Sequence, residues 1–192
     1  LDLPMTLKEF STYRSGLVLV TGPTGSGKST TLAAIIDDIN RCENKKICTI
    51  EEPVEFMHRN QKSIVAHREV GMDTESFSSG LRSAIKSDAN IILVGEMRDR
   101  ETIELALTAA EMGILVFGTL HTNSATKSID RIIDVFPPHQ QQQIRMMLSV
   151  VLRGVVCQTL LPTADGKGRA AAREILICDM AIANMIREGQ TQ

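Results

Sequence analysis

The residues best suited to chemistry are Gly22-Pro23-Thr24-Gly25-Ser26-Gly27-Lys28-Ser29, which fit the phosphate-binding pattern G-x-x-x-x-G-K-[ST] at every required position. The glycines let the backbone turn tightly, so that successive N–H groups face inward on phosphate oxygens. A helix beginning at the end of the loop adds its positive N-terminal end to the same phosphates. Lys28 is placed to reach the β- and γ-phosphates, and the Ser29 hydroxyl to ligate Mg²⁺. Thr30 follows in the same turn. The set predicts ATP and Mg²⁺ as ligands.

Three further constellations could complete such a site. Ile91-Ile92-Leu93-Val94-Gly95-Glu96 is an apolar run with an acid at its C-terminal end, where open α/β sheets bind ligands. Many buried strands end this way, and it is the neighbouring phosphate loop that gives Glu96 meaning, as a holder of Mg²⁺ through water or of the attacking water. Glu51-Glu52-Pro53-Val54-Glu55 gathers carboxylates that would repel one another. Either Mg²⁺ relieves that repulsion, or one carboxylate serves as a base, or the run is a solvated turn. Gly118-Thr119-Leu120-His121 ends another apolar run in a histidine, which either hydrogen-bonds the γ-phosphate or is structural.

The elements that must position these residues are legible from periodicity. Residues 16–21, 46–50, 90–95 and 114–119 are short, continuously apolar runs that predict strands buried on both faces. Residues 29–41 carry Leu32, Ile35, Ile36 and Ile39 at helical spacing. Further helices are predicted over residues 76–86, over 99–111 with Asp99 as N-cap and Gly113 as stop, over 124–135, and from Pro138 onward. Alternating buried strands and helices predict an α/β fold with a mainly parallel sheet flanked by helices. Residues 157–161 and 169–177 flank the turn-rich residues 162–168 and predict a C-terminal hairpin-like extension. There is no internal repeat, and Gln140-Gln141-Gln142-Gln143 is too short to be more than a polar helix face.

Composition fits this frame. A chain of 192 residues can bury a sizeable core. It is 43% hydrophobic and 3% aromatic, so that core must be aliphatic. The net charge of −2 offers no basic field for nucleic acid. No run approaches the roughly 20 apolar residues of a membrane span. The start, Leu1-Asp2-Leu3-Pro4, lacks the pattern of a secretory leader, and the absence of an initial Met suggests a piece of a longer protein. Cys42, Cys48, Cys157 and Cys178 form no Cys-x-x-Cys pair, which predicts buried, reduced thiols rather than zinc or redox chemistry.

The phosphate loop, residues 51–56 as an acidic box, residues 94–99 around Glu96, and Thr119-Leu120-His121-Thr122 occur in the order and spacing of the secretion/pilus ATPase family. The sequence resembles that family from Gly16 to Glu188. Residues 130–137, 158–162 and 181–188 are most similar to its pilus-retraction branch, and the cysteine-paired metal module usual in assembly motors is missing. The resemblance implies a RecA-like P-loop ATPase core that works as a homohexamer at the cytoplasmic side of the inner membrane and acts through a membrane platform protein. It assigns Lys28 and Ser29 to phosphate and Mg²⁺, Glu96 to the second acidic motif, Glu55 and then Glu52 to polarising water, and His121 to sensing the γ-phosphate. It also implies that residues 1–192 are one ATPase domain, lacking the family's N-terminal PAS-like domain and C-terminal helices. Three positions depart from the family pattern: Glu52 replaces an Asp, Ile114 a His, and Ala183 an Arg. Other outputs compatible with the motifs are an accessory retraction, assembly or secretion motor, a small-acceptor kinase, and a nucleotide-binding module without turnover.

Overall fold

The computed structural model describes residues 4–190; residues 1–3, which carry most of the leader reading, and 191–192 lie outside the described residues. In chain order the elements are α1 (Met5–Glu9), β1 (Gly16–Thr21), α2 (Lys28–Cys42), β2 (Lys46–Glu51), β3 (Ile64–Glu69), α3 (Phe77–Lys86), β4 (Ile91–Val94), α4 (Arg100–Glu111), β5 (Leu115–Leu120), α5 (Ala125–Asp134), α6 (Pro138–Val151), β6 (Leu152–Pro162), β7 (Arg169–Ile177) and α7 (Met180–Glu188). The strands form one sheet in the order β3-β2-β4-β5-β1-β6-β7. Every pairing is parallel except the antiparallel β6–β7 pair at one edge. The expected mainly parallel sheet with a hairpin-like C-terminal extension is the one found.

Strand alternation divides the core in two. Leu17 and Leu19 of β1 pack among residues of α3, α4, α5 and α6, whereas Val18 and Val20 pack among residues of α1 and α2. Helices thus cover both faces, and β1, β4 and β5 are buried along their full length. Each fully buried aliphatic side chain is worth about 1.5–3 kcal/mol over exposure, which makes these strands a rigid floor for the loops that leave them.

Local signals end the helices where the sequence places them. The side chains of Ser76, Asp99 and Ser124 each accept a hydrogen bond from the main-chain N–H three residues on, capping α3, α4 and α5. The register then aligns the strand ends. Thr21 pairs with Leu120, Val94 with Gly118, and Ile50 with Val94. The residues that follow β1, β2, β4 and β5 therefore emerge side by side at one edge of the sheet.

The sequence reading differs from the structure in several places. β6 begins at Leu152, directly after α6, and not at Cys157, because the apolar run shared by the two elements hides the change of period. β3, α1 and α7 were not anticipated. β3 is a half-exposed edge strand with a mixed pattern, and α1 has only five residues. The expectation of buried thiols holds for Cys48 and Cys157 but not for Cys42, which is exposed at the end of α2, nor fully for Cys178. All four thiols are free, and burial pushes that of Cys178 up to about 11.

Candidate active site

The loop between β1 and α2 is shaped by glycine at two decisive points. Gly22 has φ +142°, and a Cβ there would lie 2.2 Å from the carbonyl oxygen of Gln158. Gly27 has φ +85° and forms the left-handed N-cap of α2. Between them the Ser26 N–H donates to the Pro23 carbonyl at 3.2 Å. The Ser26 hydroxyl is buried and has no hydrogen-bond partner. An unpaired polar group held beneath such a loop is unfavourable unless a ligand uses it, which suits phosphate.

The loop rests on Gln158, whose role the sequence did not disclose. This side chain is 2% exposed. Its Nε2 donates to the Ser26 carbonyl at 2.7 Å, and its Oε1 accepts from the Thr31 hydroxyl at 2.9 Å. Arg173 Nε lies 3.4 Å from the same oxygen. One residue of β6 thereby ties the phosphate loop, α2 and β7 together.

Above the loop, Lys28 arches back so that Nζ donates to the Gly22 and Pro23 carbonyls at 2.8 and 3.0 Å. Burial lowers its pKa, opposed by the charges of Glu96 and Glu55. The Ser29 hydroxyl donates to Glu55 Oε1 at 2.8 Å. His121 Nε2 lies 2.8 Å from Glu96 Oε1, and Arg98 pairs with the same oxygen. That pairing raises the pKa of Arg98 through hydrogen bonding and charge. Glu96 is 17% exposed at the side chain, so the cluster is half sheltered from water.

These groups surround one cleft of about 460 Å³ at the carboxyl ends of the strands. Thr24, Gly25, Gly27, Lys28, Ser29, Thr30, Glu52, Glu55, Glu96 and His121 all line it; Gly22, Pro23 and Ser26 form the remainder of the loop. Glu55, and not Glu52, is the carboxylate that meets Ser29, while Glu52 stands exposed at the rim. Arg98 and Arg169 also line the cleft, and sequence spacing gave neither a role. A larger cavity of about 550 Å³ at the opposite ends of the strands contains none of the candidate phosphate-binding or catalytic residues. Among the described residues no group of three or more His, Cys, Asp or Glu is arranged to hold a metal. Mg²⁺ at a nucleotide site asks for less, namely one or two protein oxygens plus phosphates and water, and the Ser29 hydroxyl with a nearby carboxylate fits that demand.

A mainly parallel α/β sheet whose first strand runs through a glycine loop into a helix, with an acid and a histidine on neighbouring strand ends, defines a P-loop nucleotide-binding protein. Residues 4–190 match the type II/IV secretion system protein family, and the chain belongs to that family. It is 57% identical over 188 residues to the type IV pilus retraction ATPase PilT of Pseudomonas aeruginosa, covering 98% of this chain and 54% of that protein. A twitching motility protein of Neisseria gonorrhoeae is 54% identical over 99% of this chain and 51% of its own length. A crystal structure of the pilus retraction motor PilT with bound ADP superposes with a TM-score of 0.96 at 54% identity, covering all of this chain and 56% of that one. The chain spans about half the length of these relatives. Among the described residues no helix is long and apolar enough to cross a membrane.

Proposed function

We propose that the chain is the ATP-hydrolysing core of a type IV pilus retraction motor. The observation that carries this reading is the convergence of Lys28, Ser29, Glu55, Glu96 and His121 on one cleft in a chain 57% identical to PilT. In this reading the main-chain N–H groups of residues 22–30 wrap the phosphates of ATP. Lys28 exchanges its two carbonyl partners for the β- and γ-phosphates. Ser29, once released from Glu55, and Glu96 would hold Mg²⁺, which would supply neutralisation of charge on the transferring phosphoryl group. Glu55, released from Ser29, accepts the proton of the attacking water, with Glu52 at the rim as the reserve base. His121 changes partner between Glu96 and the γ-phosphate and so reports hydrolysis.

Residues 1–192 are then the ATPase domain of a longer motor with an N-terminal PAS-like domain and C-terminal helices. The motor assembles as a homohexamer at the cytoplasmic side of the inner membrane. It turns the cycle into domain rotation within the ring and acts through an inner-membrane platform protein so that pilins are withdrawn. Phosphate release by the full-length protein tests the chemical part. Lys28→Ala is expected to slow it by about a hundredfold or more, the scale of one preorganised phosphate contact. Wild-type turnover by that variant would refute the assignment.

A further inference from the structure

Residues 52–63 join β2 to β3 without helix or strand, yet they carry Glu55 to within 2.8 Å of Ser29. An irregular segment of this length has no ladder to satisfy its main chain, and its position must come from elsewhere. Around Glu55 it comes from side chains, and the far end is also held by the Asn40 carbonyl, which accepts from the Lys62 and Ser63 N–H groups at 2.9 and 3.3 Å. The Val54 N–H donates to Glu69 Oε2 at 3.0 Å, and the His58 N–H donates to His67 Nε2 at 3.0 Å. These two tethers bracket Glu55, and both start on β3. At the far end of the loop, the Gln61 N–H donates to Asn40 Oδ1 at 3.1 Å and Asn40 Nδ2 donates to the Arg59 carbonyl at 2.8 Å.

The His67 ring is engaged at both nitrogens. Nε2 accepts from the His58 N–H and also lies 3.4 Å from the His58 carbonyl, while Nδ1 lies 2.8 Å from Thr49 Oγ1 and 4.0 Å from Glu51 Oε1. Thr49 and His67 are register partners on β2 and β3. The imidazole is 10% exposed and stacks on the His58 ring at 5.8 Å with an interplanar angle of 15°. A buried ring with a partner at each nitrogen is held in one orientation. β3 itself adds little to the apolar core, since only Val65 among its residues packs against a core cluster, and it pairs on one side only.

We propose that β3 is a positioning strand, whose His67 and Glu69 hold the acidic loop so that Glu55 faces Ser29. Neither residue lines the cleft, so both act through Glu55, and the proposal rests on the reading of Glu55 as the group that activates water. Displacing a base by about 1 Å costs up to about a hundredfold in rate while nucleotide contacts survive.

The test is steady-state ATP hydrolysis by the full-length protein. His67→Ala and Glu69→Ala are each expected to lower kcat by about tenfold to a hundredfold with KM for ATP nearly unchanged. His67→Gln, whose amide offers an acceptor and a donor, should recover most of the rate. In a Glu55→Gln background both alanine changes should add nothing, since their effect passes through that carboxylate. Wild-type kcat in both alanine variants, or the same fold loss with and without the Glu55 carboxylate, overturns the positioning role. A slow Glu55→Gln protein beside wild-type alanine variants sinks the positioning role alone. A wild-type rate for Glu55→Gln sinks the reading of Glu55 and the positioning role with it.

Discussion

Replacing Gln158 by Ala should weaken the phosphate loop from beneath. The side chain is 2% exposed and makes two short hydrogen bonds, to the Ser26 carbonyl and from the Thr31 hydroxyl. Thr31 is equally buried. Truncation leaves both groups without their partner, and each unsatisfied buried group costs about 1–3 kcal/mol, so the sum is about 2–6 kcal/mol. For a chain of this size that lowers Tm by about 5–20 °C. The Ser26 share of the loss falls on the loop that must wrap the nucleotide, and 1.4 kcal/mol is tenfold in affinity, so ADP should bind about tenfold more weakly. Gln158→Glu separates the two bonds. It keeps an acceptor for Thr31 but sets a carboxylate oxygen against the Ser26 carbonyl, and nucleotide affinity should fall as far as in the Ala variant. Thermal melts with titration of a fluorescent ADP analogue read both quantities. A low Tm with unchanged ADP affinity would mean that Gln158 merely packs, and the link from β6 to the loop would be refuted.

Two further outcomes follow from the same geometry. Gly22→Ala places a Cβ 2.2 Å from the Gln158 carbonyl oxygen at φ +142°, so the loop must shift; nucleotide titration should show affinity lost by at least about a hundredfold, the cost of roughly 3 kcal/mol of strain. Burial raises the pKa of Glu51 above the ordinary 4.5, so the folded state holds this proton more tightly than the unfolded state. Its contribution to stability is full below pH 4.5 and is lost as pH rises through the folded value. Glu51→Gln should therefore raise Tm at pH 7 and flatten its decline above pH 4.5. A Tm unchanged at pH 7 would show that the buried charge costs nothing.

Much of this architecture was legible in the sequence because the central strands carry their own signal. β1, β4 and β5 are apolar on both faces, which only a covered parallel sheet requires, and the motifs sit where those strands end. Ser76, Asp99 and Ser124 announce helix starts through chemistry local to three residues. The failures share the opposite property. β3 is an edge strand whose side chains serve a loop and not a core, so no period marks it. The start of β6 is masked by an apolar run that continues from α6. Gln158 is 132 residues from the carbonyl it supports, and no local pattern reports that pairing. The acidic box was recognised as a cluster, but the choice between Glu52 and Glu55 as the neighbour of Ser29 depends on tethers from β3 and α2 that spacing does not encode.

The central claim, a motor that withdraws pili, is tested most directly by counting surface pili on host cells carrying Glu96→Gln in the full-length protein. A retraction motor without its second acidic group leaves assembly intact, and the cells should carry excess pili that fail to retract. Bald cells would contradict the account and make the protein an assembly motor.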